Sequence, residues 1–437
     1  MPKLKLTVLP LFFTLLLPSL VRAEAPRLLT LTEALSLADT GNHDIAKARE
    51  YGRLAQGKYL EERAAALPTL TLTGHLARQE DQSQGELYGG LLPTRQDSGG
   101  LSLGLAQTLF TWGKVGAAIR AAEKGFKTAD DKLRLARQDT ARVVAVAFYD
   151  ILLAKEQREI AARNLAQKER HRTAVQGRFT AGVATDYDLL AASVAVANAR
   201  PELIRADNQV RSARDRLRFL LAINEEVEAV GNLESAVRPL PSYQEALTVA
   251  RAQRPELAEV RHWQEVSAEL VTIARADTKP RLDLKGGYGW QQLDTGEASG
   301  NGRLWNLGVY LSFPFFDGLK TAGKVAQAES DQRGLTIDEA KLSEGIALEI
   351  RNALQAAGEA GEIVTAMADT VGQGERWLAM AEKGYELGVK IRLDVEDAEF
   401  NLRQAQGNLA RARRDYLTAL VNLDRAMGVL GEKTAAN

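Results

Sequence analysis

Two short stretches decide the fold of this chain: Phe179-Thr-Ala-Gly-Val-Ala-Thr-Asp-Tyr-Asp-Leu-Leu190 and Tyr385-Glu-Leu-Gly-Val-Lys-Ile-Arg-Leu-Asp-Val-Glu396. They align without a gap at an offset of 206 residues (388 − 182), with an aromatic residue, a Gly-Val pair and an aspartate in the same places. Each is a glycine-containing break between two long segments of helical character. The pair therefore predicts a duplicated helical hairpin whose two tips lie side by side.

The duplication extends over most of the chain. Its anchors are Glu33 on Glu245, Pro68 on Pro280 and Lys114 on Lys320. The offset falls from 212 (280 − 68) to 206 (320 − 114) between the last two anchors, in a polar stretch where a difference in length is tolerated. We expect a first structural repeat over 24–237 and a second over 238–437.

Residues 1–23 are predicted to be a secretory signal peptide. Lys3 and Lys5 precede an apolar run over 6–17, and Ala23 ends a small-residue cleavage site. An uncleaved membrane anchor is the alternative. The chain has no cysteine, which excludes disulfides, cysteine-based metal sites and a lipid anchor on an N-terminal cysteine. The formal net charge of −1 gives no reason to expect nucleic acid as a partner.

One pair of strands is predicted in each repeat. The first pair lies at about 68–76 and 101–112, and the second at about 280–291 and 305–316. Apolar residues alternate there with small or polar ones, which is typical of strands that are apolar on one face only. No apolar stretch after residue 23 approaches the roughly 20 residues of a membrane-spanning helix, so a membrane protein of this sequence must cross as strands. Because four strands cannot close a barrel and open edges are not tolerated in lipid, we expect several chains to share one barrel.

Aromatic residues cluster around the predicted strands of the second repeat, where seven lie between positions 288 and 316. We assign a membrane aromatic belt to Phe110, Trp112, Tyr288, Trp290, Phe315 and Phe316. Such belts are typical of outer-membrane barrels. The alternative, one face of a soluble β-sandwich, leaves unexplained why so few strands accompany so much helix.

Helical hairpins are predicted over about 113–222 and 317–428. A helix from Lys114 to Phe179 would be about 100 Å long and would need a partner along its whole length. The alanine-rich return limbs supply that partner, and the narrow apolar stripe indicates coiled-coil contact. Pro201 interrupts the first return limb, so a kink or a junction of two helices is expected there.

No arrangement of residues indicates catalysis, a metal site or a cofactor site. The four histidines stand alone, without the spacing of metal ligands. Gly286-Gly287-Tyr288-Gly289 lacks the Lys-Ser/Thr of a phosphate-binding loop and is interpreted as a kink in a strand. We therefore predict a protein that is not an enzyme.

One functional constellation stands out, at the second tip. Asp394 and Asp397, at positions i and i+3, share a helix face. If that face lines a threefold duct, they form two rings of three carboxylates that attract cations, repel one another and gate the pore in response to pH and divalent ions. The alternative is a solvated helix start with acids placed for the helix dipole. The first repeat has Asp188 but Ala191 at the second place, so only the second repeat offers the pair.

The ordered motifs of both repeats resemble the TolC family of outer-membrane efflux proteins. They are the Glu-Ala-Leu starts, Leu-Pro before the first strand, the Leu-Phe-(x)₂-Gly-Lys exit from the strands and the Gly-Val tips followed by aspartate. The resemblance implies a mostly α fold with a transmembrane β part. A homotrimer would share a β-barrel with four strands from each chain, in outer-membrane lipid, and a long periplasmic α-helical barrel would continue it.

The same resemblance implies a passive exit duct of a tripartite efflux pump, working with a periplasmic adaptor protein and an inner-membrane transporter. It implies tip closure contacts at Asp188, Tyr385 and Lys390. It also implies adaptor contacts at Gly182, Val183, Gly388 and Val389. The outer-membrane component of a type I protein secretion system remains an alternative, as does, in a different class, a secreted coiled-coil adhesin. The transported substrate stays open.

Overall fold

The computed structural model describes residues 26–83, 94–296 and 298–431, so the predicted signal peptide lies outside the described residues. The main helices are α1 (Leu31–Gly41), α2 (His43–Ala64), α3 (Lys114–Thr180), α4 (Asp186–Leu221), α5 (Tyr243–Gln253), α6 (Pro255–Ala276), α7 (Lys320–Glu386) and α8 (Arg392–Ala426). The strands are β1 (Arg27–Leu29), β2 (Thr69–Glu80), β3 (Arg95–Phe110), β4 (Val227–Ala229), β5 (Arg281–Asp294) and β6 (Ser299–Ser312).

The same elements recur in the same order in both halves of the chain. Each half has a helix of 11 residues, a helix of 22, two long strands, a helix of 67 and a shorter return helix. We therefore propose that the chain consists of two structural repeats, 24–237 and 238–437. The short strands β1 and β4, which pair in parallel, both belong to the first of them.

The four long strands form one antiparallel sheet in the order β2-β3-β5-β6. The two strand pairs therefore join edge to edge through β3 and β5. The register sets Leu103 opposite Tyr288 and Leu101 opposite Trp290, so apolar side chains of both repeats share one face of the sheet. All four of these side chains are exposed in the single chain.

The strand boundaries differ from the predicted ones, most of all at the beginnings of β3 and β6. β3 begins at Arg95 rather than near 101, because the small residues over 98–100 hide the alternation while the backbone still pairs with β2 as far as Glu80. β6 runs from Ser299 to Ser312 instead of 305–316. It ends two residues before Pro314, which has no N–H to donate to a neighbouring strand.

Two antiparallel hairpins, α3 with α4 and α7 with α8, make up the helical part, and α3 also packs against α6 and α8 of the other repeat. Of the two outcomes expected at Pro201, a kink or a junction of two helices, the junction is wrong, because α4 runs from Asp186 to Leu221 as one helix through the proline. Pro201 is exposed, so its ring meets no core side chain there. None of the described helices is both long enough and apolar enough to cross a membrane.

The large buried side chains lie where the short helices α1 and α5 cross the hairpins. One cluster surrounds Phe148 and Ile151 of α3, and the other surrounds Ile350 of α7 and Tyr416 of α8. Towards the tips the buried side chains are smaller: Val175, Ala192, Val196, Ala381 and Ala398. The helices near the tips therefore pack against each other through small side chains.

Candidate gate at the helical tips

Both tips turn on a glycine in the left-handed conformation. Gly182 has φ 73° and Gly388 has φ 72°, a region that residues with a Cβ rarely adopt. At the first tip the amide of Val183 donates to a carbonyl five residues earlier at 2.9 Å, and the amide of Val389 does the same at 2.9 Å. This hydrogen bond is the helix-ending arrangement expected of a glycine at this position. The two turns are thus built alike.

The tips carry exposed apolar side chains. Val183 at the first tip and Leu387, Val389 and Ile391 at the second are all largely exposed. Contiguous exposed apolar surface is typical of a contact surface for another protein. The turns therefore present such a surface at the free end of each hairpin.

Asp188 closes the first turn of α4. Its Oδ2 accepts from the backbone N of Thr185 at 2.9 Å and from Oγ1 of Thr185 at 2.7 Å, while the amide of Asp188 donates to that hydroxyl at 3.2 Å. The bonds from Thr185 lower the pKa of Asp188 below its ordinary value. Within one chain, Asp188 is thus a helix-capping residue.

Asp394 occupies the matching place at the start of α8 and has a second partner. Its Oδ2 accepts from the amide of Ile391 at 3.1 Å, and its Oδ1 lies 3.8 Å from Nζ of Lys390. The stem of Lys390 folds over Gly384, where a Cβ would lie only 2.6 Å from the Cγ of the lysine. The structure thus brings together Lys390, predicted to be a tip closure contact, and Asp394, predicted to be a gate residue.

Asp397 is exposed, and no described residue pairs with its carboxylate. The backbone carbonyl of Asp397 accepts from Nδ2 of Asn401 at 2.7 Å, within the same helix. Asp394 and Asp397 therefore differ in the single chain, because only Asp397 keeps both carboxylate oxygens available to a cation or to a neighbouring chain. Tyr385, at the end of α7, is exposed as well.

Sequence reasoning missed a polar contact between the two repeats near the tips. This cross-repeat cluster consists of Gln167, Lys168 and His171 on α3 and Arg392, Glu396 and Glu399 on α8. It surrounds a cavity of about 130 Å³, which Tyr385 of α7 also borders. Arg392, Glu396 and Glu399 share one face of α8, and that spacing was the available signal.

The histidines are less isolated than the sequence indicates. His171 Nδ1 lies 3.2 Å from Nη1 of Arg392, and His262 Nδ1 lies 2.7 Å from Oδ2 of the buried Asp131. Burial lowers the pKa of His171, and the cations Arg392 and Lys168 lower it further, against the opposite effect of Glu396 and Glu399.

At the other end of the hairpins, Asp277 joins the end of α6 to both long helices. Its two carboxylate oxygens lie 2.5 Å from Nζ of Lys114 and 2.6 Å from Nζ of Lys324. The two lysines lower the pKa of Asp277 below its ordinary value. The sequence aligned Lys114 with Lys320, whereas the second lysine at this carboxylate is Lys324.

The six aromatic residues assigned to the belt are all exposed and occupy two kinds of place. Tyr288 and Trp290 lie within β5, on the apolar face of the sheet. The others lie where the strands end: Phe110 and Trp112, whose rings meet edge to face at 5.3 Å, and Phe315 and Phe316, beyond the end of β6.

Comparison with known proteins identifies relatives of this chain. The family model described as "Outer membrane efflux protein" matches residues 34–222 and 246–429, which fall in the first and second repeats. The alkaline protease secretion protein AprF of Pseudomonas aeruginosa is 30% identical over 391 residues, covering 85% of this chain and 78% of AprF. The cobalt-zinc-cadmium resistance protein CzcC of Cupriavidus metallidurans is 29% identical, covering 93% of this chain and 91% of CzcC.

Among solved structures, the CmeC outer membrane channel of Campylobacter jejuni superposes with a TM-score of 0.77 at 19% identity, over 93% of this chain and 87% of that one. This likeness confirms the fold class expected from the sequence. The family match extends over both hairpins and confirms the resemblance drawn from the motifs. The chain belongs to the outer membrane efflux protein family.

Proposed function

We propose that this chain is one of three in an outer-membrane exit duct, a passive channel without catalytic activity that serves a tripartite efflux pump. The observation that carries this proposal is the four-stranded sheet with one exposed apolar face, joined directly to two helices of 67 residues. Such a sheet is too small to close on itself, so it requires the same sheet from other chains to complete a barrel. The long helices then extend from the barrel into the periplasm.

The partners we propose are a periplasmic adaptor protein and an inner-membrane transporter. The exposed apolar turns around Val183 and Val389 support adaptor contact at the tips. Membership of the outer membrane efflux protein family supports the same assembly. Outer-membrane lipid would contact the apolar face that Tyr288 and Trp290 share with the leucines of β3.

For the gate, we propose that Asp394 and Asp397 form rings of carboxylates around the threefold axis, and that Tyr385, Lys390 and Asp188 hold neighbouring tips together. Lys390 and Asp394 are both more than a third exposed, so their ion pair contributes only about 0.2–1 kcal/mol. Such a contact is weak enough to be exchanged during opening. No described residue competes for the carboxylate of Asp397, so Asp397 is the stronger site for an attracted cation.

Single-channel recording tests this gate. Replacing both residues, Asp394→Ala with Asp397→Ala, is expected to raise the conductance of the trimer in a planar bilayer and to abolish block by Co²⁺, because the carboxylate rings are gone. Asp369→Asn, an exposed carboxylate on α7 away from the tip, is the control and should leave both properties unchanged. Wild-type conductance and block in the double variant would remove the gate assignment.

A second candidate is the exit duct of a type I protein secretion system, and one relative favours it. AprF is an alkaline protease secretion protein, whereas CzcC, of nearly equal identity, is a cobalt-zinc-cadmium resistance protein. A deletion strain separates the two functions: loss of a secreted polypeptide from the medium supports secretion, and new sensitivity to metal ions or drugs supports efflux. An unchanged set of secreted proteins would reject the second candidate.

A further inference from the structure

The cross-repeat cluster joins a helix of the first repeat to the helix that carries the proposed gate. Arg392 donates from Nη1 to Nδ1 of His171 at 3.2 Å and from Nε to Oε1 of Glu396 at 2.7 Å. Two turns further along α8, Oε2 of Glu399 lies 3.0 Å from Nζ of Lys168. Arg392 is the first residue of α8, so these contacts hold the beginning of that helix against α3.

The contact between Arg392 and His171 fixes the protonation state of the imidazole. A guanidinium has donors and no acceptor, so Nδ1 of His171 must accept, and the ring must be neutral with its proton on Nε2. Protonation would turn Nδ1 into a donor and remove the acceptor. It would also set a second cation beside the guanidinium.

The four charged groups that act on His171 are two cations and two anions. Lys168 and Arg392 are matched by Glu396 and Glu399 in the same cluster. The other elements here contribute Tyr385 at the end of α7 and two charged residues of α4. Asp188 lies near enough to Arg392 for the guanidinium to lower the pKa of its carboxyl, and Arg200 lies 3.8 Å from Glu169 of α3. A proton on His171 would therefore set a second cation directly beside the guanidinium of Arg392, at a partly exposed contact.

We propose that His171 is an acid-sensitive latch between the two repeats. Neutral His171 holds Arg392 and with it the beginning of α8, which carries Asp394 in its first turn and Asp397 in its second. Protonated His171 releases the beginning of this helix and favours opening. The latch rests on the proposed function, since its output is the state of the gate. The pH dependence of the latch has one direction, since the contact between Arg392 and His171 is complete at neutral pH and is lost as the pH falls.

Channel recording on the full-length trimer is the first test, between about pH 7.5 and about pH 5, which brackets the ordinary histidine range. The wild type is expected to open more at the lower pH. His171→Asn keeps an acceptor near the position of Nδ1 but cannot titrate, so it should match the wild type at pH 7.5 and lose most of the acid response. His171→Lys carries a permanent cation and should be open at both pH values.

The tip carboxylates also titrate, and the variants separate their contribution. An acid response that comes from Asp394 and Asp397 would persist unchanged in His171→Asn. That result would overturn the latch, and so would a wild type with no acid response.

A second measurement does not depend on conductance. Because the chain has no cysteine, spin labels can be placed at Val183→Cys and Val389→Cys alone, on the two exposed tips. The distribution of distances between the tips should shift on acidification in the wild-type background and stay fixed with His171→Asn. A distribution insensitive to pH would refute the latch while leaving a conducting duct in place. If no variant conducts, the proposed duct is refuted. The distances between the labels then still test the latch, because they do not depend on conductance.

Discussion

Asp277→Asn is expected to loosen the junction between the end of α6 and the long helices α3 and α7. The carboxylate of Asp277 is the common partner of Lys114 at the start of α3 and of Lys324 near the start of α7. The Asp277 side chain is 17% exposed, and the lysines are 45% and 48% exposed. An asparagine keeps the size of the side chain but has a single neutral acceptor, so it cannot serve both cations.

The magnitude follows from this partial exposure. A hydrogen bond to a charged group contributes about 1.5–3 kcal/mol when shielded, and an exposed ion pair about 0.2–1 kcal/mol. Two bonds between those limits amount to roughly 2 kcal/mol per chain. Since unfolding entropy is about 2.1 cal/mol/K per residue, a chain of 437 residues should lose about 2 °C in its melting midpoint.

The effect has a definite dependence on pH. The lysines lower the pKa of Asp277, so the folded state gains stability from the ionised carboxylate. That gain is complete above the pKa of an unfolded aspartate, about 3.9, and is lost as the pH falls through the lower folded value. The difference between Asp277→Asn and the wild type should therefore narrow below about pH 4.

The assay is far-UV circular dichroism of the detergent-solubilised protein, heated at one fixed rate. Glu329→Gln is the matched control, because it removes the more exposed pair of Glu329 with Arg275, which joins α6 to α7 at 2.7 Å only two residues before Asp277. We expect it to lower the midpoint by no more than about 1 °C. Equal shifts for the two variants, or a difference that persists in acid, would refute the role given to Asp277.

Two further predictions concern the tips and the core. Gly388→Ala and Gly182→Ala should each lower the free energy of unfolding by about 1–2 kcal/mol. Backbone strain alone is the cause, since a Cβ at either position meets no atom within 4 Å. Amide hydrogen exchange should accelerate only at the substituted tip. Tyr416→Phe should cost about 1 kcal/mol in chemical denaturation, because it removes the acceptor that the amide of Arg238 finds at 2.9 Å. Tyr416→Ala should lower the free energy of unfolding by about 3–5 kcal/mol, because the Tyr416 side chain is 1% exposed. Equal losses for Tyr416→Phe and Tyr416→Ala would contradict this packing role.

The architecture could be predicted from the sequence because its determinants are local. Alternation of apolar residues indicates strands, spacing of three and four indicates helices, and Pro68 and Pro280 separate the two. A glycine between two helical limbs indicates a turn, and both Gly182 and Gly388 have the expected positive φ. The errors arose where local signals are weak, as at the small residues that open β3.

The contacts between helices could not be predicted, because they depend on how distant side chains are brought together. His171 and Arg392 are 221 positions apart, and Lys114 and Asp277 are 163 apart. Charged residues are common on every exposed helix face, so neither pair has a signature in the sequence. Only the packing of α3 against α6 and α8 selects these partners.

The repeats agree where the fold is determined and differ where the candidate function lies. At the offset of 206, Lys390 aligns with Ala184, Arg392 with Asp186 and Asp397 with Ala191. Near the sheet, at the offset of 212, Asp277 aligns with Ala65. Two equivalent hairpins per chain give a threefold assembly six similar tips, of which only three carry Lys390, Arg392 and Asp397. Removing these groups from the second repeat should therefore change opening while leaving assembly intact, because the first repeat folds into the same hairpin without them.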